Sequence, residues 1–187
     1  MTAAARIFQH QRVWRMSREV FTAAAGMLAQ AANHERGPIG AVIGIANGGV
    51  PLSVLIGDVL AVPVYEVTAR HNKTDEAYLQ ATGEVDCDTL RLARQLDGSR
   101  LGETVLLVDD ICGSGATLDT VTAAIEPHLA DGARALTAVL CLNTGATARP
   151  DLWLWEVTDW VNFPWEHAPE TTVPLVPLPM ATGVRIR

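Results

Sequence analysis

The sequence predicts a single α/β domain with a mainly parallel central sheet flanked by helices. Short apolar runs typical of buried strands alternate with segments of helical periodicity. Such alternation is typical of βαβ units, in which the chain returns to the same sheet through a helix. The length of 187 residues suits one domain with a substantial core, and neither an internal repeat nor a second domain is evident.

The first predicted element is an amphipathic helix over residues 11–34, which we expect to pack on the core. Val13, Met16, Val20 and Met27 recur along one stripe of this helix, and arginine and glutamate occupy the other side. The pair Gly37-Pro38 then interrupts the pattern. The periodicity therefore predicts packing and carries no functional signal.

The remaining elements follow from apolar runs separated by turn residues. Buried strands are predicted at residues 39–45, 62–67, 105–108 and 135–142, with a shorter, partly exposed strand at 153–157. Helices are predicted at residues 52–60, 90–96 and 118–125, and the proline-rich residues 174–179 should form an extended arm. We expect a core over about residues 35–150 and a small C-terminal hood over about 151–187.

Bulk properties exclude several function classes. The net charge of -7 argues against broad nucleic-acid binding, and no apolar run reaches membrane-spanning length. Cys87, Cys112 and Cys141 form an odd set without metal-ligand spacing. The first residues lack the apolar segment of a signal peptide, so we expect a cytoplasmic protein with neither a nucleic-acid nor a membrane partner.

The chemically informative stretch is residues 104–121, which read TVLLVDDICGSGATLDTV. Asp109 and Asp110 directly follow an apolar strand, and a loop of small residues then leads into a helix. The loop comprises Gly113, Ser114, Gly115, Ala116 and Thr117. Backbone N–H groups at such a turn hold phosphate, while carboxylates accept hydrogen bonds from sugar hydroxyls or hold Mg²⁺. A P-loop is excluded because the loop lacks the lysine of that motif.

This combination of strand, acid pair and small-residue loop resembles the signature of type I phosphoribosyltransferases, which bind 5-phosphoribosyl pyrophosphate (PRPP). The resemblance implies that the loop 113–117 holds the 5-phosphate and that Asp109 and Asp110 hold the ribose hydroxyls. It also implies Mg²⁺ as cofactor, contacted by Asp110 directly or through water. The implied reaction transfers the 5-phosphoribosyl group from PRPP to a small-molecule acceptor and releases pyrophosphate. Members of the family commonly dimerise, which implies a homodimer.

Asn47, Gly48 and Gly49 follow the first predicted strand and form a second possible anion site. In the phosphoribosyltransferase interpretation they coincide with the pyrophosphate loop, although the family often has a basic residue where this chain has Asn47. The two loops would share one crevice, because both follow carboxyl ends of parallel strands.

Three cationic or potentially cationic side chains, Arg70, His71 and Lys73, lie within four positions after the strand at 62–67. One interpretation is a loop that brings positive charge onto the departing pyrophosphate. The other is an ordinary solvated loop. The sequence leaves both open.

The stretch from Trp160 to Glu166 is similar to the hood of xanthine–guanine-type 6-oxopurine phosphoribosyltransferases. By this resemblance Trp160 stacks on a purine and the main chain of Val161 hydrogen-bonds to it. The alternative is that Trp160 and Trp165 simply close the end of the core.

Two positions depart from the 6-oxopurine pattern. That group has aspartate where this chain has Gly113, and lysine where it has Asn143. A neutral Asn143 both donates and accepts, which suits an amide-like or amino-bearing acceptor. The expected acceptor is a purine or purine-like base, with a non-nucleobase acceptor of a specialised pathway as the alternative. A third interpretation is a non-catalytic regulator that binds PRPP.

Overall fold

The computed structural model describes residues 6–70 and 85–187 of the chain. Its strands are β1 (Val13–Arg15), β2 (Ile39–Ala46), β3 (Val64–Arg70), β4 (Asp86–Asp88), β5 (Thr104–Cys112), β6 (Arg134–Asn143), β7 (Leu152–Val157), β8 (Trp160–Asn162), β9 (Leu175–Pro177) and β10 (Arg185–Ile186). Its helices are α1 (Arg18–Arg36), α2 (Gly49–Leu60), α3 (Leu90–Leu96) and α4 (Ala116–Ile125), and a 3₁₀ turn (Glu126–His128) follows α4.

Within the described residues, seven strands form one large sheet in the order β10-β7-β6-β5-β2-β3-β4. The five inner strands, from β7 to β3, run parallel, and the two edge strands β10 and β4 are antiparallel to their neighbours. This arrangement confirms the predicted α/β fold with a mainly parallel sheet. The carboxyl ends of the inner strands meet at one edge, where ligands of open α/β sheets bind.

Both faces of the large sheet are covered, which explains why its central strands are apolar throughout. Successive side chains of a strand point to opposite faces. In β5, Leu106 and Val108 join the cluster that contains α1 and α2 residues, whereas Val105 and Leu107 join the cluster that contains α3 and α4 residues. All four side chains are fully buried. The run from Val105 to Val108 is therefore apolar because it faces two cores.

Helix α1 begins later than the periodicity predicts. Ser17 caps it, since its hydroxyl accepts a hydrogen bond of 3.2 Å from the Val20 amide. The prediction of a helix from residue 11 is wrong, because residues 13–15 form β1. This strand pairs with β8 on one side and β9 on the other, and Val13 is fully buried between them. Long-range pairing outweighs local helical periodicity at this position.

The hood is a three-stranded parallel sheet in the order β8-β1-β9. The predicted hood of about residues 151–187 is too wide, because β7 near its start and β10 at its end belong to the large sheet. Strand β7 is also more buried than predicted, since β6 and β10 flank it. The extended arm at 174–179 contains β9, and the amide of Leu178 donates to the carbonyl of Arg15. None of the helices in the described part of the chain has the length and hydropathy of a membrane span.

Candidate active site

The site is built around the end of β5, which extends past the acid pair to Cys112 before the chain turns into α4. Gly115 forms the N-terminal boundary of α4 with a φ of 99°, a conformation that favours glycine. A Cβ at this position would also overlap with the backbone carbonyl of Ala148. The tight turn and the close neighbouring backbone both require glycine here.

The small-residue loop is held in place by a hydrogen bond within the loop and by hydrogen bonds from the neighbouring residues 147 and 148. Ser114 is buried, and its hydroxyl accepts a 3.3 Å hydrogen bond from the Ala116 amide. Its carbonyl accepts bonds from the amides of Thr147 and Ala148, 3.2 and 3.3 Å long. Thr117 lies in the first turn of α4. The loop is therefore anchored at the N-terminus of a ten-residue helix, where backbone amides and the helix dipole favour an anion.

The loop after β2 packs directly on the end of β5. A Cβ on Gly48 would overlap with the Asp110 carboxylate, and one on Gly49 would overlap with the carbonyl oxygen of Val108. Asn47 precedes these glycines, and the peptide bond between Ala46 and Asn47 is cis. The structure thus packs the second predicted anion loop against the end of β5, with Gly48 directly beside Asp110.

The predicted cationic group is only partly described. Arg70 is the last residue of β3, the strand next to β2, so its backbone lies at the same edge of the sheet as Asn47. The side chain of Arg70, together with His71 and Lys73, lies outside the described residues.

Asp109 and Asp110 are an electrostatically costly pair. Burial, reinforced by the charge of Asp110, raises the pKa of Asp109 well above its usual range. Burial and the charge of Glu166 raise the pKa of Asp110 to about 7. The positive charge of Arg6 acts in the opposite direction on both carboxyl groups. Such a pair is stabilised when a cation or hydrogen-bond donors approach it.

The donor set fits Mg²⁺ bound together with a phosphorylated ligand. Among the described residues, no group of three or more His, Cys, Asp or Glu side chains is arranged to enclose a metal ion. Mg²⁺ commonly uses one or two protein carboxylates and takes further oxygens from substrate phosphates. Asp110, beside the glycine loop, is placed for that mode of binding.

Beyond the acid pair lies a cavity of about 80 Å³. Its lining includes Asp110 and Gly113 together with Asn143, Trp160 and Val161. The structure therefore gathers the three residues predicted for the acceptor around one cavity, which Asp110 and Gly113 of the predicted donor site also line. Asn143 ends β6 and is 2% exposed, whereas Trp160 and Val161 begin β8.

The two tryptophans of the hood differ in their surroundings. Trp165 stacks on Phe163 at 5.1 Å between ring centroids and meets Phe21 edge-on at 5.1 Å. Trp165 thus closes the end of the core, which was the alternative interpretation of the two tryptophans. Trp160 instead lines the cavity.

Two parts of the site have no role assigned from the sequence. One is the segment of residues 6–12 before β1, here called the N-terminal strap. Its Arg6 and Phe8 line the cavity, and the backbone of Ile7 bonds to Asn143. Glu166 also lines the cavity and accepts a 2.8 Å bond from the Phe163 amide. Burial raises the pKa of Glu166. No sequence signal identified the strap, because it lies far from the site in sequence and carries no motif. Glu166 lies in the hood stretch, where its acidic side chain was the one available signal.

Comparison with known proteins agrees with this geometry. Residues 16–171 match the family described as "Phosphoribosyl transferase domain". Comparison with curated protein sequences gave no significant match.

Solved structures share the fold at low sequence identity. A purine phosphoribosyltransferase from Pyrococcus horikoshii is 20% identical, with a TM-score of 0.63 over 83% of this chain and 95% of that one. Xanthine-guanine-hypoxanthine phosphoribosyltransferase from Helicobacter pylori is 21% identical, with a TM-score of 0.65 over 83% and 94%. A hypothetical protein from Neisseria gonorrhoeae with bound ppGpp is 19% identical, with a TM-score of 0.64 over 85% and 91%. With the family match covering most of its length, the chain belongs to the phosphoribosyl transferase domain family and is an enzyme of the phosphoribosyltransferase type.

Proposed function

We propose that the protein catalyses Mg²⁺-dependent transfer of the 5-phosphoribosyl group from PRPP to a purine or purine-like base, with release of pyrophosphate. The observation that carries this proposal is the contact between Gly48 and the carboxylate of Asp110. This contact joins a candidate pyrophosphate loop to a candidate ribose and 5-phosphate site. PRPP carries phosphate groups at both ends of its ribose, so it needs two such sites side by side.

The donor roles follow from position. The amides of residues 113–117, with the hydroxyls of Ser114 and Thr117, hold the 5-phosphate at the start of α4. Asp109 and Asp110 accept hydrogen bonds from the ribose hydroxyls and stabilise positive charge that develops at C1. Bound Mg²⁺ supplies charge neutralisation for the departing pyrophosphate. Positioning and electrostatics are the protein's main contributions.

The leaving group is held on the other side of Asp110. Backbone amides of Asn47, Gly48 and Gly49 bind pyrophosphate where α2 begins. Arg70, His71 and Lys73, close in sequence to the same edge of the sheet, supply positive charge to it.

The acceptor roles rest on the cavity beside the donor site. Trp160 offers an aromatic face to a flat heterocycle, and Asn143 and the main chain of Val161 offer hydrogen-bonding groups at the same cavity. The Pyrococcus and Helicobacter structures of similar fold carry names that specify purine acceptors. These observations support a purine or purine-like base.

A second acceptor class has its own observation. Gly113 stands where the 6-oxopurine group has an acid, and the guanidinium of Arg6 lies directly against it. The proton-handling group of that pattern is therefore replaced by a cation. A non-nucleobase acceptor that needs no such acid is consistent with this arrangement.

Calorimetric titration of PRPP tests the donor assignment. The wild-type protein should bind PRPP in the presence of Mg²⁺ and lose affinity after chelation, and Asp110→Asn should weaken binding at least about tenfold, equivalent to one lost charge-assisted interaction. Asp58→Asn, an exposed acid of α2, is the control and should bind normally. Unchanged affinity in Asp110→Asn would refute the donor site.

Pyrophosphate release over a panel of purine bases tests the acceptor. Turnover with at least one purine is expected. PRPP binding without turnover of any base in the panel would favour the non-nucleobase acceptor. Homodimer formation and a cytoplasmic location remain predictions from the sequence.

A further inference from the structure

Three consecutive residues of the N-terminal strap each contact a different residue of the proposed acceptor and donor sites. The guanidinium of Arg6 lies against Gly113, and the charges of Asp110 and Asp109 act on it. The backbone of Ile7 exchanges two hydrogen bonds with the side chain of Asn143. The ring of Phe8 lies 6.1 Å from that of Trp160, tilted by 41°.

These contacts use the groups that an acceptor would need. Oδ1 of Asn143 accepts from the Ile7 amide and from the Gly145 amide, and its Nδ2 donates to the Ile7 carbonyl, all at 2.9 Å. The strap thus places the Phe8 ring beside Trp160, the Ile7 backbone amide beside Asn143 and the planar Arg6 cation near the acid pair.

The space that remains supports the same conclusion. The cavity between the strap and the hood measures about 80 Å³, whereas ligand pockets commonly measure about 300–1,000 Å³. A bicyclic base requires more room than this, and withdrawal of Phe8 and Arg6, which line the cavity, would provide it.

The strap is attached in a way that permits this movement. Beyond residue 8 the backbone is tied to the rest of the protein: the amide of Gln9 donates to Thr158 at 2.8 Å, and that of Gln11 donates to Asp159 at 3.2 Å. Strand β1 then begins at Val13 within the hood sheet. Residues 6–8 lie N-terminal to these ties, so they can swing out while the hood sheet stays intact.

We propose that residues 6–8 are an intrasteric occupant of the acceptor site, which the acceptor base displaces on binding. This proposal rests on the proposed acceptor site at Trp160 and Asn143. The strap lowers the apparent affinity for the base because only the strap-open fraction of molecules binds it.

Kinetics of strap variants test the proposal. Phe8→Ala and deletion of residues 2–8 should lower the KM for the best base of the panel by about three- to tenfold, the range that one aromatic pair accounts for. The KM of Phe8→Ala for PRPP should change less than twofold, roughly the scatter of independent sites, because the Phe8 ring lies beside Trp160 of the proposed acceptor site. Gln9→Ala removes an exposed side chain from the same strap and should match wild type.

Hydrogen exchange gives a readout apart from activity. Guanosine 5′-monophosphate, added as the probe of a filled acceptor site, should speed exchange of the Ile7 amide and leave the amides of β1 protected. Binding of this probe with unchanged or slowed exchange at Ile7 would overturn the proposal.

The kinetic outcomes distinguish a failure of the strap proposal from a failure of the acceptor assignment. A raised or unchanged KM for the base in both strap variants, with normal PRPP binding, would show that the strap is a wall of the site or irrelevant to it. If wild type and the deletion variant bind PRPP but neither binds a base nor the nucleotide, the proposed acceptor is wrong, and the strap proposal falls with it.

Discussion

The side chain of Asn143 and the backbone of Ile7 exchange two hydrogen bonds, each 2.9 Å long, across 136 positions of the chain. Asn143 stands at the end of β6, so these bonds tie the N-terminal strap to the carboxyl edge of the large sheet. The amide of Asn143 is buried, and the third bond, from the Gly145 amide, completes its environment. One side chain thereby links strap, sheet and cavity.

We expect Asn143→Ala to lower the free energy of unfolding by about 1–3 kcal/mol, since the part-buried hydrogen bonds to the backbone of Ile7 and Gly145 are lost. Urea denaturation measures this change. Asn33→Ala is the control: its side chain is exposed and accepts a long, 3.4 Å bond from the Ile39 amide, so the change should stay within about 0.5 kcal/mol. Equal effects of the two substitutions would contradict the structural role of Asn143.

The two glycines of the small-residue loop should respond differently to substitution by alanine. Gly115→Ala combines a φ of 99° with overlap against the Ala148 backbone, so it should cost about 2 kcal/mol or more. At Gly113 the nearest atoms belong to the flexible side chain of Arg6, which can move aside. Gly113→Ala should therefore cost about 1 kcal/mol or less. Thermal unfolding of both variants measures the difference, and a reversed order would contradict it.

Folding stability in the absence of Mg²⁺ and PRPP should fall as pH rises towards neutrality. Burial and the charge of Glu166 raise the pKa of Asp110 from 3.8 to about 7. Between these two values the folded protein keeps a proton that the unfolded chain has released, so the free energy of unfolding decreases with pH. Asp109, whose pKa is also raised by burial, acts in the same direction.

Urea unfolding from about pH 5 to pH 8 measures this dependence. Asp110→Asn should flatten it, while Asp58→Asn should keep the wild-type slope. PRPP affinity with Mg²⁺ should rise over the same window, because the ligand complex favours ionised carboxylates. A wild-type stability that increases with pH through this window would contradict the prediction.

Trp160→Ala and Trp165→Ala should separate binding from packing. Loss of the Trp160 face should raise the KM for the acceptor base by about 5- to 150-fold, the equivalent of one base–aromatic stack, with the KM for PRPP little changed. Trp165 packs on Phe163 and Phe21, so its truncation should lower stability by about 3–5 kcal/mol. Steady-state kinetics and urea denaturation of both variants test the distinction; an unchanged base KM in Trp160→Ala would contradict the stacking role.

Much of the donor side could be predicted from local sequence. The run before Asp109, the acid pair and the glycine-rich turn are consecutive, and strand, turn and helix start are each set by neighbouring residues. Gly48 and Gly49 were identifiable for the same reason, as a turn directly after an apolar strand. Their contact with Asp110 follows from the parallel sheet, which aligns the carboxyl ends of β2 and β5.

The acceptor side depended on tertiary structure. Local periodicity favours helix at residues 13–15, but pairing with β8 and β9 makes them a strand. Likewise no local pattern connects Ile7 with Asn143 or Phe8 with Trp160, because these contacts join segments more than a hundred residues apart. The sequence by itself determined the fold class and the motif of the donor loops, whose geometry is encoded within a few consecutive residues. Only the tertiary structure decided which segments surround the proposed acceptor cavity, since burial and backbone pairing between distant segments place the hood and the strap there.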